Sequence, residues 1–555
     1  MDRRKFIQLS GGSMAALIIN PLPFSNLPPQ YLLALPDEVH ATAGGKLLSL
    51  SSSDKLTWSN RDIIVTLKQQ TTQLGIEVQS PTLPLSNVQL KWKYTANPTS
   101  KYLGDHWERT YGDVSWQSPE ASKKMPWYFM EYDGKDTHCF GVKTGGNSIC
   151  YWLAGSNSIQ LVMDTNSGGE GVQLGTRKLH AADIITTKST TNETPFTTGK
   201  RFCKMMCAAP RLTKQPVYGI NDWYFAYGNN SSALILQHTA LLASLVTNTE
   251  NRPFSVIDAG WAKYSPFVPD DGGWGDDFSK PNDKFKDMGK LAADIKKLGM
   301  RPGLWTRPLC AKYNDVKSLL LPSIEGRNDV KQPVLDPTIE ENIERIKSNF
   351  TLYKQWGYEM VKHDFSTYDI YGKWGFEMKD SMTPAGWHMN DNTKTNAEII
   401  LHLYKAIRQA AGDMYLIGCN TISHLSAGVF ELNRIGDDTS GNEWERTKKM
   451  GVNTLAFRSI QHHNFYAIDG DCVGVTDKVP WAKNKQWMQL LAESGAPLFI
   501  SAQPSAVGAE QKEFLKKCFA SAAKKMPVAE PLDWLETATP AKWKLNGEIV
   551  NFDWS

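Results

Sequence analysis

The chain has 555 residues, 41% hydrophobic and 21% charged, with a formal net charge of +3. That length exceeds what one hydrophobic core organises, so two or three domains of a globular protein are expected. The near-neutral balance, with no Lys/Arg-dense run after the N-terminus, excludes a nucleic-acid partner held by charge.

Residues 1–30 read as an export signal and the start of a linker. Arg3-Arg4 precedes a short apolar segment, Met14 to Ile19, which resembles a twin-arginine export signal, so a periplasmic or extracellular mature protein is expected. A disordered basic tail is the alternative. The apolar segment is too short to span a bilayer, and no later window reaches that length, so no membrane span is expected. Eight cysteines are too sparse for a disulfide scaffold, although export would permit a bridge at Cys139–Cys150 or Cys203–Cys207.

From Lys46 to Ala208, short alternating runs are broken by Gly, Asn, Ser and Asp, as in Ile63–Leu67, Val88–Tyr94, Cys139–Val142 and Ile159–Met163. No amphipathic helix of normal length interrupts them, so residues 31–210 are expected to form an antiparallel β-sandwich. After Pro216 strands and helices alternate. Strand candidates are Val217–Asn221, Phe254–Asp258, Arg301–Trp305, the run around Met360-Val361, Met414–Gly418, Asn433–Gly436, Tyr466–Ile468 and Pro497–Ser501. The clearest helical runs are 230–246, 285–298, 339–356, 397–411 and 442–459. This pattern predicts an α/β fold, a (β/α)8 TIM barrel over residues 211–525. A doubly wound open sheet is disfavoured, because no Gly-rich phosphate turn follows the first strand. Residues 526–555 carry two β-runs around Asn546-Gly547, a short C-terminal hairpin.

Chemistry in a barrel gathers where strands end. The stretch Tyr358-Glu-Met-Val-Lys-His-Asp-Phe-Ser366 puts Lys362 and Asp364 two residues apart, on one face of a strand. A lysine there would hold the carboxylate ionised, and a structural Lys–Asp pair would look the same. Other strand ends bring Asn221, Asp222 and Trp223; Asp258 and Trp261; Trp305 and Arg307; Cys419; Arg434, Asp437 and Asp438; and Asp469 and Asp471. Carboxylates and tryptophans dominate. No Gly-x-Ser-x-Gly elbow occurs, and His462-His463 is the one histidine pair, so neither a serine hydrolase nor a metal site is indicated. A Schiff-base role for Lys362 needs a depressed pKa, which Asp364 beside it would oppose. Paired acids with aromatic walls fit glycoside cleavage, one acid as nucleophile and the other as acid/base.

The ordered set Gly219-x-Asn221-x-Trp223-Tyr224, Ile257-Asp-Ala-Gly-Trp261, Gly303-Leu-Trp305, Val361-Lys-x-Asp364 and Arg434-x-x-x-Asp438 resembles the clan of retaining α-galactosidases, glycoside hydrolase families 27 and 36. A sandwich ahead of the barrel is more like family 36. The resemblance implies Asp364 as nucleophile and Asp438 as acid/base, with Asp437 its competitor. It implies Lys362, Arg434, Asp258 and Asp471 as sugar ligands, Trp223, Trp261 and Trp305 as walls, and Cys419 at the fifth strand's end. It implies a carbohydrate substrate and no metal or organic cofactor. Three positions depart from the family pattern: Ala259 in place of a second acid, Arg307 in place of Glu, and Cys419-Asn420-Thr421 in place of Cys-Ser-Gly. These departures open the sugar to galactose relatives, such as N-acetylgalactosamine or an arabinopyranose. A transglycosidase and a non-catalytic sugar-binding protein are the other readings.

Overall fold

The structure, a computed structural model, describes residues 33–248, 250–263, 276–312, 314–327 and 333–555. The export-signal residues Arg3-Arg4 and Met14 to Ile19 lie outside the described residues.

Two antiparallel sheets occupy the N-terminal region. The six-stranded sheet runs from Lys46–Leu50 at one edge to Glu120–Pro126 at the other, through Glu38–Ala43, Leu85–Lys93, Ser158–Asp164 and Ile149–Ala154. The seven-stranded sheet centres on Leu74–Gln79, Leu179–Lys188 and Thr137–Val142. Alternation drives both: in Ile63–Gln69 the residues Ile63, Val65 and Leu67 are buried and their neighbours less so. The inner faces meet through aromatics, with Trp152 of the first sheet against Phe129 and Phe140 of the second.

A helix does interrupt this region, contrary to the sequence expectation. Pro195–Met206 is nucleated by a capping box between Thr194 and Thr197, with Pro195 in the first turn. Its apolar stripe, including Phe202 and Met206, packs beneath the second sheet near Tyr128. Neither candidate disulfide forms. Cys139, Cys150, Cys203 and Cys207 are buried free thiols, the first two on strands of different sheets and the second two a helical turn apart.

The rest is built on a curled, parallel nine-stranded sheet. Its order is Ala467–Asp469, Leu432–Arg434, Tyr415–Gly418, Met360–His363, Arg301–Thr306, Phe254–Ile257, Tyr218–Asn221, Leu498–Ala502 and Cys472–Val475. Every expected strand is present, and Cys472–Val475 is additional. Helices Ser232–Ala243, Met288–Lys297, Glu340–Gln355, Asn396–Ala411, Trp481–Glu493 and Ala509–Ala522 accompany the sheet. The expected 442–459 helix is instead α over Trp444–Thr447, π over Lys448–Asn453 and α again over Thr454–Arg458.

The two faces of the curled sheet have separate cores. Val256, Met360, Ile417, Leu432, Ala467 and Phe499 cluster on the concave side. Ile257, Val361, Leu416, Ile468 and Ile500 join the main core under the helices. Because side chains alternate, Asp258, Lys362, Asp364, Cys419 and Arg434 continue the concave rows toward the strands' C-terminal ends. The C-terminus adds a three-stranded sheet whose Lys542–Leu545 and Glu548–Asn551 strands join at Asn546-Gly547, both with positive φ. No helix among the described residues is long and apolar enough to cross a membrane.

Candidate active site

Asp364 follows the last residue of Met360–His363. Its backbone N–H donates to the Thr306 carbonyl at 3.0 Å, continuing the ladder to the neighbouring strand. Its carboxylate accepts the Trp305 indole N–H at 3.0 Å and the Phe365 backbone N–H at 2.8 Å. Phe365 sits in left-handed backbone at φ 65, a conformation costly for a bulky residue and concentrated at functional sites. That turn swings the chain directly from the strand into the helix Ser366–Tyr371.

Lys362 does not clamp Asp364, as the sequence suggested. Its ammonium donates to Asp258 Oδ2 at 2.8 Å. The long side chain reaches across the concave face to the second strand, while Asp364, one pleat higher, is met by Trp305. Asp258 also accepts the Asn221 amide at 2.6 Å. Its backbone N–H donates to Asp222 at 2.7 Å, and burial, with the neighbouring Asp258 charge, pushes the Asp222 carboxyl up to about 7.

Asp438 stands at the end of the sixth strand. Arg434 donates to it at 2.9 Å, and Arg109 lies 3.6 Å away. Burial opposes its ionisation, but the charges of Arg434, Arg109 and Lys362 prevail and hold it at about 2. Asp437 turns to Arg109 at 2.7 Å and Arg446 at 2.9 Å, so it is held as an ion-pair partner. The strand end is pinned by the N-terminal region: Thr110 N–H donates to Ile435 O at 2.8 Å, and Asp437 N–H donates to Thr110 O at 2.9 Å. Gly436 permits this packing, since a Cβ there would lie 2.2 Å from the Met450 carbonyl of the π segment.

These groups line a cavity of about 330 Å³, whose walls include Asp258, Lys362, Asp364, Asp438, Trp223 and Trp305. Four other expected site residues, Arg434, Asp471, Cys419 and Trp261, lie outside its surface. Arg434 is fully buried and held by Asp471, which also accepts the Tyr224 hydroxyl and the Thr439 N–H. Cys419 accepts from Arg434 at 3.6 Å and Arg109 at 3.7 Å. Trp261 stands behind the wall, donating to the Trp305 carbonyl at 2.8 Å and packed against Tyr353 and Trp356. Arg307 is committed to Asp369 and lies 4.6 Å over the Phe365 ring.

Sequence reasoning missed Arg109, Tyr111, Trp374, Phe376 and Arg446, all of which line the cavity. Arg109 and Tyr111 come from the N-terminal sheets. The signal available was the charged pair Glu108-Arg109 set among aromatics in His106-Trp-Glu-Arg-Thr-Tyr111. Glu108 ties three segments together, accepting from Tyr111, Asn420 and, at 2.8 Å, the Gly375 N–H.

Burial raises the Glu108 carboxyl from 4.5 to about 7. Between those values the folded chain keeps a proton that the unfolded chain releases, so stability falls as pH rises through that window and levels off above it. Glu108→Gln removes this contribution, so its unfolding midpoint should fall less than wild type from about pH 5 to about pH 8. Thermal melts at the two pH values check this, and equal falls would contradict it.

No protein-family model matches the sequence, and no curated protein sequence does. Solved structures do match in fold. The Thermus thermophilus α-galactosidase TtGalA, in complex with p-nitrophenyl α-D-galactopyranoside, superposes at TM-score 0.60 and 17% identity, covering 93% of this chain and 98% of that one. A family-36 α-galactosidase variant from Geobacillus stearothermophilus, bound to 1-deoxygalactonojirimycin, gives 0.60 at 12% identity, with 90% and 73% covered. A Flavobacterium johnsoniae family-31 dextranase mutant with isomaltotriose gives 0.54 at 9%, with 92% and 67% covered. The chain therefore has the fold of family-36 α-galactosidases.

Proposed function

We propose that the chain is a retaining, exo-acting glycoside hydrolase that cleaves terminal α-galactoside-like linkages in oligo- or polysaccharides. The observation that carries this reading is that Asp364 and Asp438 face one cavity from the ends of two parallel strands, each held by its own donors. The nine-stranded sheet is read as a (β/α)8 barrel whose seventh strand breaks at Gly470-Asp471. Its first half, Ala467–Asp469, pairs with the sixth strand, and its second half, Cys472–Val475, pairs with the eighth.

In the first step an Asp364 oxygen bonds to the anomeric carbon as the glycosidic C–O bond breaks, and Asp438 gives its proton to the departing oxygen. In the second, Asp438 takes a proton from water, the water oxygen bonds to the anomeric carbon, and Asp364 leaves as carboxylate. Two inversions give retention. Lys362 and Asp258 offer a donor and an acceptor to sugar hydroxyls, and Trp223 and Trp305 supply apolar walls. Arg434, Asp437 and Asp471 are positioning residues, and no metal or organic cofactor enters these steps.

A galactose relative, an α-N-acetylgalactosaminide or an arabinopyranoside, is the second reading for the sugar. It is favoured by Ala259, which offers no carboxylate, and by Arg307, whose guanidinium is spent on Asp369. A site lacking a hydroxyl partner discriminates against the sugar that requires it. Release from a panel of aryl α- and β-glycosides tests both readings, with Asp364→Ala as control. Release from β-glycosides alone, or equal release by the control, would reject them. On the same reading the Arg3-Arg4 pair serves as an export signal that would carry this activity to the periplasm or outside the cell; export of an Arg3→Lys, Arg4→Lys chain as efficiently as wild type would reject it.

Trp305→Phe deletes one hydrogen bond to the Asp364 carboxylate. Bonds to charged groups are worth about 1.5–3 kcal/mol, or roughly 10- to 150-fold in rate. The loss should fall on the second step, in which that carboxylate departs, so a burst of aryl alcohol should precede slower turnover. An unchanged kcat without a burst would contradict this role.

A further inference from the structure

A second cavity, of about 450 Å³, adjoins the first. It lies between the edge strand Glu120–Pro126 of the six-stranded sheet and the segment Gly375–Asp380. The two cavities share building segments. Asp105, His106 and Trp107 line the second, and Arg109 and Tyr111, just beyond, line the first. Phe376 borders both. Phe376 is 47% exposed, and its ring meets the Tyr111 ring edge-on at 4.9 Å. Glu108 holds both sides of this partition, through Tyr111 and the Gly375 N–H.

We infer that the second cavity is a binding site for the far part of a neutral oligosaccharide leaving group, whose chain crosses Phe376 on its way out of the catalytic cavity. This rests on the glycosidase reading. The size is that of small-molecule sites, about 300–1,000 Å³. An exposed aromatic ring flanked by hydroxyl, ammonium and carboxylate groups suits a sugar, which offers C–H faces and hydroxyl edges. The charges identify the chain as neutral. Asp105 is paired with Arg458 at 2.9 Å. That leaves Asp113, Glu120 and Asp380 against Lys123, Lys124 and Lys379 on the lining. Three acids against three lysines favour neither a sulfated nor a uronic chain. Lys124 is further committed to the Asp380 carbonyl at 2.6 Å.

The test uses the full chain and a substrate ladder with one terminal linkage and growing leaving groups: melibiose, raffinose and stachyose. Wild-type kcat/KM should rise by about tenfold or more along the ladder. Ser122→Trp, which fills the second cavity from the edge strand, should return stachyose to the melibiose level and lower the ratio of stachyose to aryl-glycoside kcat/KM by the same factor. Lys379→Ala, exposed and away from the core, should lower that ratio in the same direction, and it serves if the tryptophan variant fails to fold. A flat wild-type ladder, or an unchanged ratio in the folded variants, overturns the site. If wild type releases sugar from no substrate, the glycosidase reading has failed, and calorimetric titration with stachyose then decides the site alone. Binding that Ser122→Trp abolishes supports it; equal binding, or none, overturns it.

Discussion

Asp364→Ala should lower turnover of every cleaved substrate by about 10⁴-fold or more, the scale on which lost nucleophiles are felt. The expected effect is chemical rather than structural. The carboxylate's two hydrogen bonds come from Trp305 and from the adjacent backbone N–H, and neither holds distant elements together. The variant should therefore melt close to wild type. Added azide should restore release from an activated aryl glycoside by entering the vacated space, giving a glycosyl azide of inverted configuration. Loss of activity together with loss of fold, or rescue with retained configuration, would contradict the nucleophile assignment.

Asp438→Ala should produce a loss that depends on the leaving group. General acid catalysis is worth about 10²–10⁴-fold. That full loss is expected for oligosaccharides, whose departing oxygen requires a proton, and little of it for aryl glycosides with acidic phenols. With activated substrates the second step becomes limiting, and azide should accelerate it. The free site holds Asp438 near 2 against the pull of burial, which is the form suited to taking a proton from water. The side chain is 39% exposed before substrate arrives. Covering it adds desolvation, which works against the guanidiniums and favours the protonated form that the first step uses. Equal loss across leaving groups would remove Asp438 from the acid role and turn attention to Asp437.

The strand alternation was the most legible part of this molecule. Lys362 and Asp364 share a face by period alone, and in the structure the same alternation continues from Val256 to Asp258 and from Leu432 to Arg434. Alternation lapses where the chain leaves the sheet. Gly260, at φ 114, turns the segment after Asp258, and Trp261 consequently packs behind Trp305 rather than beside the cavity. The pairing of Lys362 with Asp258, rather than with Asp364, is a contact between separate strands, and local spacing carries no record of it. Arg109 is more distant still. It reaches Asp437 from more than 300 residues away, through a bridge between Thr110 and Gly436 that depends on how the N-terminal sheets dock. The helix Pro195–Met206 was readable from Thr194-Pro195 and its apolar stripe, but the β-rich surroundings masked it. The second half of the broken strand, Cys472-Val-Gly-Val475, is too short for periodicity to identify.

Double displacement at Asp364 is tested most directly by the configuration of the first-formed sugar. Hydrolysis of the preferred aryl α-glycoside in D₂O, followed by proton NMR before mutarotation, should show the α-anomer of the free sugar first. Asp364→Ala should show no sugar on the same timescale. A β-anomer appearing first would contradict the covalent mechanism, and α-anomer release that persists without Asp364 would contradict its role as nucleophile.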